Sequence, residues 1–181
     1  STENFQGALN FYLPEDIAIQ CARKVHKGFD VRRDAVSRLY RYSILNSVTP
    51  SPIMRRFTYQ VRKELDTQRM NEAAKTLIGT NDLSSFCRAQ DAYSQNTKRS
   101  VENAKVTRQD QLVVLDIQAN SFLTQQIRRT MGELVKVGLG HKDVSEFKRL
   151  IEYPKPGAAS PTLSPAGLCL ENIYYDNLNL A

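Results

Sequence analysis

The chain has 181 residues, 41% of them apolar, with 25 lysines and arginines against 19 acidic residues and a formal net charge of +6. That length and apolar content suit one domain, or one domain with part of another, and supply enough side chains for a core. No apolar run is long enough to span a bilayer, no signal-peptide pattern opens the sequence and no low-complexity tract interrupts it, so the composition is that of a soluble protein rather than a membrane or fibrous one. The first elements are modest. Residues 5–13 form a short helical or irregular segment ending at Pro14, and residues 17–25 alternate enough to predict a strand.

Charge is spread unevenly. Between Arg23 and Lys63 stand eleven basic residues and two acidic ones, Asp30 and Asp34, a local excess of +9 that leaves −3 for the rest of a chain of net charge +6. Such a block suits a surface that meets a phosphate backbone, where affinity comes largely from released counterions. A solvated face that only aids solubility is the competing reading. Within the block, residues 36–45 read as a strand with Val36, Arg38, Tyr40, Tyr42 and Ile44 on one face and Ser37, Leu39, Arg41, Ser43 and Leu45 on the other. Interleaved aromatic and basic residues suit stacking on a base beside phosphate contacts. Two tyrosines on one strand face equally suit a pair that fills a core.

Residues 46–54 hold two prolines and read as a loop, with Arg55 and Arg56 just beyond it. Residues 65–78 form an amphipathic helix, starting near Asp66 or Thr67 and stopping at Gly79. Asp82, in the phrase GTNDLSSF at 79–86, reads as a turn or cap residue. A polar, mobile loop is predicted at 88–96, then a hairpin of strands 98–108 and 112–120.

The stretch 112–140 is the most informative. Val113, Leu115, Ile117 and Ala119 alternate with Asp116, Gln118 and Asn120 as in a half-buried strand. From Phe122 the period changes: Leu123, Ile127, Met131, Leu134 and Val135 recur at helical spacing, with Asn120 and Ser121 as candidate N-caps and Gly138 as the stop. Arg128 sits beside this stripe with Gly132 one turn on, where it either snorkels to solvent or projects into a cleft. A short helix at 144–151, a proline- and glycine-bearing loop at 154–165, a strand at 167–175 and a tail from 176 complete the chain. The order predicts an α+β fold with helices on one face of an antiparallel sheet. Cys21, Cys87 and Cys169 lack metal-ligand spacing and read as buried free thiols in a reducing compartment. There is no phosphate-binding or dinucleotide loop, no metal cluster, and His26 and His141 complete no triad.

Five separated phrases resemble the TruA family of tRNA pseudouridine synthases. ALNFYLPEDI at 8–17 is similar to that family's "LN..LP.DI". Phe29, Arg32, Ala35, Arg38, Tyr40 and Tyr42 match its F-x-A-R-x-x-A-x-x-R-x-Y-x-Y, with Asp30 and Val31 in place of the usual His-Ala. GTNDLSSF resembles "G.HDF..F" with Leu83 for the first phenylalanine, ANSFL with Ile127, Arg128 and Gly132 resembles the last catalytic motif, and GLCLENIYY at 167–175 resembles "GL.L..V.Y". The resemblance implies the α+β pseudouridine synthase fold and isomerisation of uridine in the anticodon arm of tRNA. It also implies no cofactor and no metal, no membrane, a cytoplasmic location and a homodimer. It implies that Arg128 pairs with a catalytic aspartate and that Tyr40 packs against the target uridine. Arg32, Arg38 and Asn120 are then expected to contact the substrate, and Arg33, Arg41, Arg55 and Arg56 to contact RNA. The family's aspartate lies in a "GRTD.GVH" loop upstream of the first phrase. The chain is therefore expected to be the C-terminal part of a longer enzyme without its nucleophilic aspartate, with residues 1–28 a remnant of the N-terminal part and 29–181 the C-terminal domain. A non-catalytic RNA-binding α+β module is the alternative.

Overall fold

The computed structural model describes residues 1–159 and 162–176; residues 160 and 161 of the proline-bearing loop and the predicted tail from 177 onward lie outside the described residues. Two compact units are present, Ser1–Asp34 and Ala35–Ala181. The smaller holds one helix, α1 (Thr2–Tyr12), capped by Ser1. The strand predicted at 17–25 does not form. Its backbone is met by side chains of α1 instead of a neighbouring strand: Asn10 Nδ2 donates to the Ile19 carbonyl at 2.9 Å, Asn10 Oδ1 accepts from Ile19 N at 2.7 Å, and Gln6 Nε2 reaches the Ile19 and Gln20 carbonyls. Amides that can donate and accept satisfy an extended segment locally, which removes the need for a sheet partner.

The larger unit is α+β. Its strands are β1 (Ala35–Asn46), β2 (Tyr59–Val61), β3 (Gly79–Asp82), β4 (Lys98–Gln109), β5 (Leu112–Ala119) and β6 (Leu168–Tyr175). Its helices are α2 (Thr67–Lys75), α3 (Ala89–Ala92), α4 (Gln126–Gly138) and α5 (Val144–Glu152). The strands form one six-stranded sheet in the order β2-β1-β5-β4-β3, with β6 also on β1. One edge of the long strand β1 is shared end to end: β6 runs antiparallel along Ala35 to Tyr42, and β2 runs parallel beside Ile44 to Asn46. The sheet is therefore mixed, not purely antiparallel as predicted. A three-residue strand such as β2 is too short to show a period, and only its return along β1 makes it a strand.

The hairpin register puts every inward residue in line. Tyr42 faces Leu115 and Ile44 faces Val113 across β1 and β5, while Val106 faces Leu115 across β4 and β5. These side chains are buried beneath Met70, Ala73 and Ala74 of α2, Met131, Leu134 and Val137 of α4, and Phe147 and Ile151 of α5. Burying each of the larger of these apolar side chains is worth about 1.5–3 kcal/mol. Helices α2 and α4 approach so closely that a Cβ on Gly138 would stand 2.6 Å from Met70 Sδ, so the glycine that ends α4 also admits α2.

The opposite sheet face mixes the apolar Leu39, Leu45, Leu112 and Val114 with a charged cluster. Arg41 grips Asp116 through two bonds, Nε to Oδ1 at 2.8 Å and Nη2 to Oδ2 at 3.1 Å, and lies 3.6 Å from Glu171. Between β3 and α3, Asp82 Oδ1 accepts from Ser84 N at 2.9 Å, which is the predicted turn role. The polar loop predicted at 88–96 contains the helical turn α3, whose Arg88 pairs with Asp91 at 3.1 Å. Of the three thiols only Cys87 is buried; Cys21 and Cys169 are exposed, because the segment around Cys21 forms no strand and Cys169 lies on the part of β6 that no helix covers.

Candidate functional site

Strand β5 hands over to α4 through a tight turn, and this turn makes the site. Asn120 closes the end of the strand: its Oδ1 accepts from Ser100 N at 3.0 Å and from Ser121 N at 2.9 Å. Its carbonyl accepts from Arg38 Nη1 at 2.6 Å, and the same nitrogen donates to the Ala35 carbonyl at 3.0 Å. Asn120 therefore does not cap the helix, as the apolar spacing predicts. The helix starts at Gln126, four residues after Phe122, because Gln125 takes a left-handed conformation (φ 64°) and breaks the helical run. The buried Gln126 locks this break: its Oε1 accepts from Leu123 N at 2.8 Å, while its own N donates to the Leu123 carbonyl at 3.1 Å.

Releasing residues 121–125 from the helix has two effects. Phe122 swings to meet Tyr40 edge-on, with ring centroids 5.2 Å apart and planes at 82°. Arg128 moves into the first turn of α4, beside them. Tyr40, Phe122, Thr124, Gln125, Arg128 and Leu168 are among the residues lining a cleft of about 500 Å³. Arg128 Nε donates to the Leu163 carbonyl at 2.6 Å, so one edge of the guanidinium is fixed. Among the described residues no carboxylate lies within ion-pair distance of Arg128, and none lines the cleft. Phe122 stood in the phrase that pointed to Arg128, but the apolar spacing assigned it to the helix. Leu168 and the 162–165 loop arrive from about forty residues away; Leu168 stood in the closing GLCLENIYY phrase, but nothing in the spacing brought it or the loop to Arg128.

Tyr40 and Tyr42 part company here. Both sit on the helix-covered face of β1, yet Tyr42 is fully buried and Tyr40 is only half-buried at the cleft. Burial pushes the Tyr42 phenol well above its usual range, with Tyr59 adding to the rise and Arg128 opposing it. The other expected site residues are scattered. Arg55 and Arg56 are exposed in a 3₁₀ turn (Met54–Arg56), and Arg41 is held by carboxylates on the sheet face away from the cleft. In the smaller unit, Arg32 and Arg33 are exposed on a turn built by Asp30, whose Oδ1 accepts from their backbone N–H groups at 2.8 and 2.9 Å. Those bonds, Arg33 first, hold the Asp30 carboxyl below its ordinary range. The acid that departs from the motif thus serves the turn.

Comparison with known proteins adds the family. A model described as tRNA pseudouridine synthase matches residues 73–176. The chain is 38% identical over 167 residues to tRNA pseudouridine synthase A of Blochmanniella pennsylvanica and 36% identical over 167 residues to that of Shewanella woodyi, in each case covering 92% of this chain and 64% of the relative. It is 35% identical over 173 residues to tRNA pseudouridine synthase A of Acetivibrio thermocellus, covering 96% of this chain and 70% of the relative. The chain spans just under two thirds of the length of the first two.

Proposed function

Because this chain belongs to the family of tRNA pseudouridine synthases, we propose that its cleft takes a uridine flipped out of tRNA and that the full-length protein isomerises it to pseudouridine. The change is a rearrangement. The N1–C1′ bond breaks, the uracil turns, a C5–C1′ bond forms, and the proton lost from C5 is balanced by one gained at N1. Nothing is oxidised or reduced, and no cofactor is invoked.

Arg128 carries this assignment. Its guanidinium is anchored at Nε, lines the cleft beside Tyr40 and has no acidic partner among the described residues. An arginine so held offers its two Nη groups to a carboxylate, keeping it ionised and oriented at the sugar. We assign that carboxylate to a part of the protein outside the described residues. Tyr40, supported edge-on by Phe122, packs against the uracil. Arg38 and Asn120 hold each other and so support the lip of the cleft, while Arg32, Arg33, Arg55 and Arg56 offer exposed charge to the tRNA backbone. The anticodon arm as target, a homodimer as the working form and the cytoplasm as compartment follow from the family resemblance and belong to the same proposal. No helix among the described residues is long and apolar enough to cross a membrane.

The test is to incubate the natural full-length protein, and separately this 181-residue chain, with unmodified tRNA and to quantify pseudouridine after digestion. Product from the full-length protein and none from the chain is expected. Product from the chain alone would put the carboxylate among its own residues. One observation favours a second reading, an RNA-binding module without catalysis: among the described residues no acidic side chain lines the cleft. Binding of tRNA by the full-length protein without any product would establish that reading instead.

A further inference from the structure

We propose that Tyr42, shut inside the core, is a positioning residue that sets the orientation of the Arg128 guanidinium through the backbone of residues 163 and 164. The inference rests on the role given to Arg128 above. Two successive carbonyls of one short loop are claimed by two different elements: the Tyr42 hydroxyl on β1 donates to the Ser164 carbonyl at 2.6 Å, and Arg128 Nε on α4 donates to the Leu163 carbonyl at 2.6 Å. Leu163 N returns a long bond to the Arg128 carbonyl at 3.5 Å. The seat is close-fitting. A Cβ on Gly167 would lie 2.5 Å from the Ser43 carbonyl oxygen and 2.9 Å from Tyr42 Cε1, so only glycine lets the end of this loop rest on the tyrosine ring. Ser164 Oγ accepts from Ala166 N at 3.2 Å and closes the turn between them.

Packing alone does not account for the hydroxyl. A phenylalanine would fill the same space, whereas a buried O–H is tolerated only where it finds an acceptor. Burial keeps the phenol protonated, so it remains a donor. With the Ser164 carbonyl fixed, the Leu163 carbonyl is fixed with it. Arg128 then has its Nε edge occupied, and its Nη1–Nη2 edge, which can also hold a carboxylate by two parallel bonds, is left for the cleft.

The experiment uses the full-length protein labelled with ¹⁵N-arginine, in which the Arg128 Nε–H resonance is identified by its loss in Arg128→Lys. Tyr42→Phe is expected to speed exchange of that proton with solvent at least about tenfold and to lower kcat for pseudouridine formation roughly ten- to a hundredfold with KM for tRNA unchanged. Thermal melting is expected to stay within about 4 °C of the parent. Tyr42→4-aminophenylalanine, which keeps a donor at the same place, should restore slow exchange, and it serves as the folding-competent comparison. In an Arg128→Ala background Tyr42→Phe should cost no further turnover. Unchanged Arg128 exchange in Tyr42→Phe, or turnover losses that simply add, would overturn the proposal. Absence of pseudouridine from the parent protein would defeat the isomerase assignment, while the exchange measurement would still decide what Tyr42 does.

Discussion

The β1–α4 pair is a sealed core at one end and an open cleft at the other, and the two ends differ in very little sequence. At the core end Tyr42 and Ile44 lie beneath Met131 and Leu134 with nothing exposed. Two residues earlier on the same face, Tyr40 meets Phe122 and stays half-open beside Arg128. What differs is the backbone above. Over Tyr42 the loop through Ser164 and Gly167 closes down, and over Tyr40 the left-handed turn at Gln125 holds α4 back by one turn. A site is thus made by stopping a core early, without a separate site architecture.

Substitutions at the two tyrosines should separate the two ends most sharply. Tyr42→Ala is expected to cost about 3–5 kcal/mol of stability, as for other large buried aromatics. Tyr40→Ala should cost clearly less, since the ring is only partly buried and its aromatic pair adds about 0.5–1.5 kcal/mol to that burial, yet abolish turnover in the full-length protein. Urea unfolding and a pseudouridine assay on both variants read this directly; similar losses of stability would make Tyr40 a core residue.

Arg128→Lys tests the cleft end by itself. An ammonium cannot keep one bond to Leu163 and offer a two-pronged edge to a carboxylate, so turnover should fall roughly a hundredfold or more while the melting curve barely moves. Near-parental turnover would remove Arg128 from the site. Smaller effects are expected away from both ends. Arg32→Ala and Arg33→Ala should each flatten the salt dependence of tRNA binding by up to roughly 0.7–0.9 in the log–log slope, although Arg33 lies 3.9 Å from the Asp30 carboxylate, and Arg41→Ala should do so less, since Asp116 grips it at 2.8 Å and Glu171 lies beside it. A titration in which Arg41→Ala had the larger effect would move the RNA to the opposite sheet face.

The smallest predicted effect is a pH dependence at Asp82. Burial raises its pKa, but hydrogen bonds from Thr97 and Ser84 outweigh that and hold the carboxyl below the ordinary 3.8. A depressed folded pKa means a contribution that is complete above the unfolded value and is lost as pH falls through the folded one. Asp82→Asn should therefore cost about 1 kcal/mol near neutrality, with the difference from the parent closing below about pH 4. A difference that persists into acid would assign the cost to packing.

Much of this was legible in the sequence, and the exceptions are contacts that spacing does not record. The change of period between Ile117 and Ile127 located the strand and the helix, and the Asp66 cap and the hairpin turn at Asp110 fell where their side-chain and backbone chemistry placed them, whereas α2 ends at Lys75, short of the expected stop at Gly79, and Gly79 opens β3 instead. The start of α4 was misplaced because Leu123 continues the apolar stripe by accident; Gln126 uses its side chain to hold Leu123 in a turn, and spacing carries no record of that bond. Tyr40 and Tyr42 could not be told apart because a period of two puts them on one face and only the distant 162–167 loop distinguishes them. Asn10 supplied to residue 19 what a sheet neighbour would have supplied, so an alternating segment remained a coil. At Leu123 and at Ile19 a side chain took the place of a backbone partner.

A structure of the full-length protein with a uridine-bearing tRNA stem-loop tests the central claim most directly. The account predicts a carboxylate from outside the residues described above, at hydrogen-bond distance from Arg128 Nη1 and Nη2, with the flipped uracil lying against Tyr40. Arg128 turned to solvent or to a phosphate, with no carboxylate reaching the cleft, would contradict it.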